Sequence, residues 1–132
     1  MISRNLTLKL SVMSTIKFTV TTEPVPFKRA MTNGKRRFND PCYSDFKEYV
    51  GAHAKVAMAG RVPFDGAIRI HVDVFTKYEP TSLKSGDVDN HLKAAMDALN
   101  GICYRDDRQI VDATVNVFKG TPHVEIEVEA II

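Results

Sequence analysis

A single α+β domain, a mixed β-sheet carrying two main helices, is what the sequence predicts, and three observations predict it. Several stretches alternate apolar and polar residues with a period of two, as half-buried strands do. Two others repeat apolar residues at helical spacing between start and stop signals. The 132 residues are also a natural size for one domain, long enough to bury well over half of the unfolded surface in one core.

From Leu6 to Val20 the even positions Leu6, Leu8, Leu10, Val12, Ile16, Phe18 and Val20 are apolar, broken only by Ser14, which predicts a strand. Because the stretch from Met13 could itself open a domain, residues 1–12 are set apart as an N-terminal extension or extra strand, and 13–132 as the main domain. After Pro24 and Pro26 come Lys28, Arg29, Lys35, Arg36 and Arg37 with no acid among them, folded back at Asn33-Gly34, a dipeptide that favours a tight turn. A basic hairpin is expected. Asp40-Pro41 supplies an N-cap and an N1 proline for a first helix with Phe46, Tyr49, Val50, Ala54 and Ala57 on its apolar side, stopping near Gly60.

Ile68, Ile70, Val72 and Val74 alternate with Arg69, His71 and Asp73, the pattern of a half-buried strand, and a loop from Lys77 to Gly86 follows. The second helix is expected from about Val88 to Leu99, closed by Asn100-Gly101, with Val88, Leu92, Ala95 and Leu99 as its apolar stripe. Two last strands, Ile110 to Phe118 and His123 to Ile131, turn at Gly120 to Pro122.

Composition narrows the class more than the function. Hydrophobic residues make up 44% and charged ones 26%, near globular averages, which excludes a disordered or membrane class. The formal net charge of +2 is too small to imply a polyanion partner, so such an argument rests on where the cations sit. Cys42 and Cys103 lie far apart and the histidines show no zinc-ligand spacing, so two free thiols in a reducing cytoplasm are expected. No apolar run reaches the ~18 residues of a membrane span, and no membrane association or organic cofactor is expected.

The informative segment runs from Gly86 through Ile110, where a helix opens with two aspartates and a third acidic pair follows closely. At about 100° per residue Asp89, Lys93 and Asp97 fall on one helix face, away from the apolar stripe. One reading is structural: Asp87 caps the helix and Asp89 pairs with Lys93 across one turn, a contact worth a few tenths of a kcal/mol. The other brings in Asp106 and Asp107. Clustered carboxylates repel by ~4 kcal/mol at ~4 Å and an effective dielectric of 20, so such a cluster needs a cation, and hard oxygen ligands in twos and threes suit Mg²⁺ or Mn²⁺. Lys93 could then polarise a water or a phosphate oxygen. An EF-hand starting at Asp87 is excluded, since Leu92 and Ala98 stand where its glycine and glutamate belong. An aspartyl-phosphate nucleophile fits poorly, because Thr81 to Gly86 is a polar loop rather than the end of an apolar strand.

The ordered set Asp87-Val88-Asp89-Asn90, Lys93, Asp97-Ala98-Leu99 and Asp106-Asp107-Arg108-Gln109 resembles the RusA family of Holliday junction resolvases, and a looser similarity extends back to Met13. The resemblance implies a homodimeric α+β nuclease that binds four-way DNA junctions and, with Mg²⁺ or Mn²⁺, nicks two strands symmetrically in recombination and repair. Carried over by position, Asp87, Asp89 and Asp107 would be the metal-binding carboxylates and Lys93 the catalytic lysine. Asp106, Asp97 and Asn90 would be supporting residues. Prophage members are common in that family.

DNA contacts are expected from Lys28, Arg29, Lys35, Arg36, Arg37 and Lys84. If the five hairpin cations all meet phosphates, binding should show a log–log salt slope of roughly −4 to −5 per protomer. A solvated hairpin whose cations protect an edge strand is the competing reading. Tyr43 and Phe38 are expected to pack rather than to stack on bases. Two other functions fit the same residues: a metal nuclease for other branched or single-stranded nucleic acids, and a catalytically silent DNA-binding protein.

Overall fold

Strict alternation builds the sheet. In the computed structural model, which describes residues 12–29, 31–34, 36–38 and 40–131, Ile68, Ile70, Val72, Val74 and Thr76 are buried on one side of a strand while Arg69, His71 and Asp73 face the other. The strands are β1 (Val12–Val20), β2 (Met31–Asn33), β3 (Arg36–Phe38), β4 (Ile68–Thr76), β5 (Ile110–Lys119) and β6 (His123–Ile131). The helices are α1 (Pro41–Met58) and α2 (Val88–Leu99). Four strands form one mixed sheet in the order β1-β6-β4-β5, in which only the β4–β5 pair is parallel. The α+β expectation with two main helices therefore holds.

Both helices lie on the face where Val124, Ile126, Val128 and Ala130 of β6 join the apolar residues of β4 and β1. Each fully buried aliphatic side chain there contributes about 1.5–3 kcal/mol. The opposite face stays polar, as an antiparallel sheet allows; across it Arg69 grips Glu129 with two hydrogen bonds, 3.2 and 2.9 Å.

The helix boundaries follow the local signals. Asp40 caps α1 by accepting from Cys42 N and Tyr43 N, with Pro41 at its first position, and Gly101 leaves α2 at φ +81°. β2 and β3 form the expected hairpin through Gly34 at φ +64°. Residues 1–11, and with them the expected alternation at Leu6, Leu8 and Leu10, lie outside the described residues, as do Lys35 and the side chains of Arg36, Arg37 and Phe38. Among the described residues no helix is long and apolar enough to cross a membrane, and Cys42 and Cys103 are free thiols.

Two helix faces differ from expectation. On α2 the buried side is His91, Ala94, Ala95, Ala98 and Leu99, while Val88 is half exposed. Small residues explain the rotation. α1 crosses α2 at Gly51, where an added Cβ would stand 3.3 Å from Ala98 O and 3.2 Å from the Ile102 side chain. The alanines thus form the contact surface, and a stripe drawn through the larger residues misses its centre. On α1 Tyr43 is buried and Tyr49 half exposed, edge-on to His53 with ring centroids 4.7 Å apart.

Candidate active site

Hydrogen bonds within the loop before α2 set where its first aspartate stands. Ser82 Oγ accepts from Lys84 N at 3.2 Å and opens a single 3₁₀ turn over Leu83–Ser85. Ser85 is buried, its hydroxyl within 2.8 Å of Ser82 O and 2.9 Å of Pro80 O. Gly86 follows at φ +81°, where an added Cβ would meet His91 Nε2 at 2.6 Å, so both conformation and space demand glycine. His91 is buried beneath, one turn into α2, with Nε2 2.6 Å from Ser85 O. A carbonyl only accepts, so this nitrogen carries the proton. Burial outweighs that contact and the nearby Asp87, and lowers the imidazole below its ordinary pKa, which keeps it neutral.

Asp87 occupies the N-cap position, its backbone oxygen accepting from His91 N at 3.0 Å, yet its carboxylate makes no capping hydrogen bond. It and Asp89 are exposed at the positive end of α2. The structural reading of Asp87 as a side-chain cap is thus not what the fold uses. Nor does Lys93 form the expected ion pair with Asp89 or with Asp97 among the described residues. Instead Lys93 Nζ lies 4.8 Å from the centroid of the Phe27 ring, while Asp97 accepts from Tyr43 Oη at 2.7 Å. Burial first, and then this bond to Asp97, pushes the Tyr43 phenol above its ordinary range, so it remains a donor. Asn90 contributes its backbone oxygen, accepting from Phe27 N at 2.9 Å.

The second acidic pair sits in a 3₁₀ turn, Asp107–Gln109, in which the two aspartates differ in role. Asp106 caps the turn by accepting from Arg108 N at 2.9 Å, and that bond foremost holds its carboxyl below the usual range. Gln109 Oε1 accepts from Arg105 N and Asp106 N, and its Nε2 donates to Phe64 O and Gly66 O. Asp107 is the acid of this pair that the turn does not use as a cap. The glutamine of the motif is therefore architectural: it ties the turn to the chain entering β4.

The crossover from β4 through α2 to β5 decides which carboxylates meet. Parallel pairing sets Ile110 opposite Ile68, so Asp107 stands at the end of the sheet where β4 begins. Asp87 is reached only after β4 has ended at Thr76. The two ends are separated by the 12 residues of α2, about 18 Å at 1.5 Å per residue. Asp107 instead lies near Tyr104: the buried Tyr104 phenol is raised by desolvation and then by Cys103, Asp107 and Asp97, and its hydroxyl bonds Met96 O. Consistently, among the described residues no group of three or more His, Cys, Asp or Glu side chains is arranged to hold a metal ion. Asp87 and Asp89 offer hard oxygen donors suited to a divalent cation, but a single chain folded this way does not bring Asp107 to them.

Of the cationic candidates, Lys28, Arg29 and Lys84 are exposed, and Lys28 reaches back to Asp40 at 3.4 Å. Sequence reasoning passed over Phe27, His91 and the role of Gln109. The Pro24-Val25-Pro26-Phe27 run and Gly86 ahead of a histidine were the available signals, but their meaning depends on contacts across the fold.

The family model for the endodeoxyribonuclease RusA matches residues 21–129. The chain is also 33% identical to the uncharacterized protein YqaN of Bacillus subtilis (strain 168), in an alignment covering 90% of this chain and 99% of that protein.

Proposed function

Because the chain belongs to the RusA endodeoxyribonuclease family, we propose that it resolves four-way DNA junctions by paired, Mg²⁺- or Mn²⁺-dependent cleavage, acting as a homodimer. The observation that carries the reading is the pair of carboxylates, Asp87 and Asp89, exposed at the α2 N-terminus and unused as caps. An ordinary helix start would use at least one of them.

The split of the acidic set supports a dimer. β5 is an edge strand carrying exposed Val111 and Phe118, an arrangement that a monomer would ordinarily blunt. A two-fold axis beside this edge would run two β5 strands antiparallel, bringing the start of one beside the end of the other. Asp107 of one copy then approaches Asp87 and Asp89 of the second. In that assembly Asp87, Asp89 and the other copy's Asp107 would hold the cation, which when bound supplies an activated water and neutralises phosphate charge. Lys93 adds a positive charge on the same helix face, and the hairpin with Lys28, Arg29, Arg36 and Arg37 holds the DNA backbone. A water oxygen attacks phosphorus and the bond to the 3′ oxygen breaks, leaving 5′-phosphate and 3′-hydroxyl ends that a ligase can join.

The test is cleavage of a labelled four-way junction beside a matched duplex, with Mg²⁺, Mn²⁺ or EDTA, for the native protein and Asp89→Asn. Paired metal-dependent nicks on the junction, absent in the variant, are expected. Cutting of all substrates alike would favour a general nuclease, and binding without cutting a silent DNA-binding protein.

A further inference from the structure

Phe27 lies where the basic hairpin joins the candidate active site, in a segment that three contacts hold, one of them to its ring. Its backbone N–H donates to Asn90 O at 2.9 Å, which ties the segment to the first turn of α2. Pro26 packs beside the Gly86 turn, its Cγ 3.2 Å from where a Cβ on Gly86 would stand. The ring meets Tyr43 edge-on, centroids 5.7 Å apart at 88°, and Tyr43 is itself pinned to Asp97. The place of the ring is thus set by contacts other than the one with Lys93. Lys93, by contrast, is exposed on a flexible four-carbon stem, with Nζ 4.8 Å from the ring centroid. That is within the ~6 Å over which the ring quadrupole attracts an ammonium. Asp97, one turn further along α2, is committed to Tyr43 rather than to the lysine.

We propose that Phe27 is a positioning residue for Lys93, holding its ammonium beside the start of the basic hairpin so that a phosphate docking on Lys28 and Arg29 meets the lysine already in place. The inference rests on the reading of Lys93 as the lysine of the cleavage reaction. It assigns an aromatic residue, outside the acidic motif, to the geometry of the reacting charge.

The experiment compares the native protein with Phe27→Leu, Phe27→Tyr, Lys93→Ala and Phe27→Leu/Lys93→Ala, measuring single-turnover junction cleavage in Mg²⁺, junction affinity in Ca²⁺, and thermal midpoint. Phe27→Leu is expected to slow cleavage about two- to fivefold, the size of a lost cation–π contact at an exposed lysine, with affinity and melting unchanged. Phe27→Tyr should restore the rate, because its ring offers the same face. Adding Phe27→Leu to Lys93→Ala should cost nothing more, since contacting residues couple non-additively. Should leucine loosen the fold, Phe27→Met fills the space without a ring and is read in the same way. A Phe27→Leu protein that cuts at the native rate while Lys93→Ala is slowed overturns the inference and leaves the nuclease standing, as does a double variant whose residual rate falls by the full Phe27→Leu factor below that of Lys93→Ala. A native protein that cuts no DNA overturns the functional reading beneath it.

Discussion

Asp87 and Asp89 open α2 with exposed carboxylates that take no part in capping it, whereas the pair at the other end of the crossover is divided, Asp106 used by the backbone and Asp107 not. The difference teaches which motif acids are available for chemistry. A carboxylate engaged by main-chain N–H groups has its lone pairs directed and its charge partly satisfied; a neighbour left out of that network costs the fold nothing to give to a ligand. The 12 residues of α2, about 18 Å of helix, lie between the two regions in the chain, and under the proposed dimer they become two halves of one site rather than two copies of one.

Breaking either half should have the largest effect. Asp87→Asn, Asp89→Asn and Asp107→Asn are each expected to slow cleavage by about 10²- to 10³-fold, corresponding to several kcal/mol of lost charge stabilisation, without a change in melting temperature. Mixing then sharpens the comparison. If the halves come from different copies, a heterodimer of Asp89→Asn with Asp107→Asn gathers both lesions in one site and leaves the other intact. Re-equilibrated mixtures of the two inactive proteins should regain single-strand nicking in gel assays of junction cleavage, but not paired cutting. Mixtures as inactive as their parents would mean that both halves serve within one chain, and the β5-edge dimer would be wrong.

The asymmetry within the second pair predicts a smaller effect of a different kind. Gln109→Ala removes four hydrogen bonds around the turn, two of them part-buried and two exposed, and should cost about 1 kcal/mol of stability, the net worth of such bonds where water can replace the partner. Denaturant unfolding would measure it. Asp106→Asn should act like a mild version of Gln109→Ala, with cleavage lowered a few fold. An Asp106→Asn protein as inactive as Asp107→Asn would reverse the two assignments.

Much of this was legible in the sequence because single-residue signals set it. Alternation at Ile68, Ile70, Val72 and Val74 marked β4, Asp40-Pro41 opened α1, and Asn100-Gly101 closed α2. The acids were legible as types at a spacing, but not their separation, since the parallel β4–β5 pairing that parts them joins residues more than 40 positions apart. On α2 Ala95 and Leu99 are buried and Leu92 packs against the core as expected, but the centre of the face was missed for a related reason. Alanine carries little hydrophobic signal, yet Ala94 and Ala98 are buried, and Ala98 lies against Gly51 of α1. Phe27 was invisible because its role depends on the distant Asn90, Tyr43 and Lys93.

The supports of the two halves differ in one more respect, because the first rests on a titratable group, His91, and the second on Gln109, which does not titrate. Burial lowers the folded pKa of His91 below its ordinary value near 6.5. Above that value the imidazole is neutral in folded and unfolded chains alike and its contribution is fully present. As the pH falls below it, the unfolded chain takes up a proton that the folded chain refuses, so stability declines with falling pH until the folded pKa is reached. His123 works in the opposite sense: burial lowers it, but bonds to Glu125 and Thr121 raise it overall, so it favours the folded state below its unfolded pKa and loses that contribution as the pH rises through the folded one. Subtracting a variant isolates the first effect. His91→Gln keeps a side-chain N–H for Ser85 O without a titrating ring, and melting curves between about pH 7.5 and 5, above the range where carboxylates protonate, should show native and variant proteins diverging as the pH falls, with the native protein losing more. Parallel curves would mean that His91 accepts its proton in place, and that the loop bearing Asp87 is looser than the buried Ser85 contact implies.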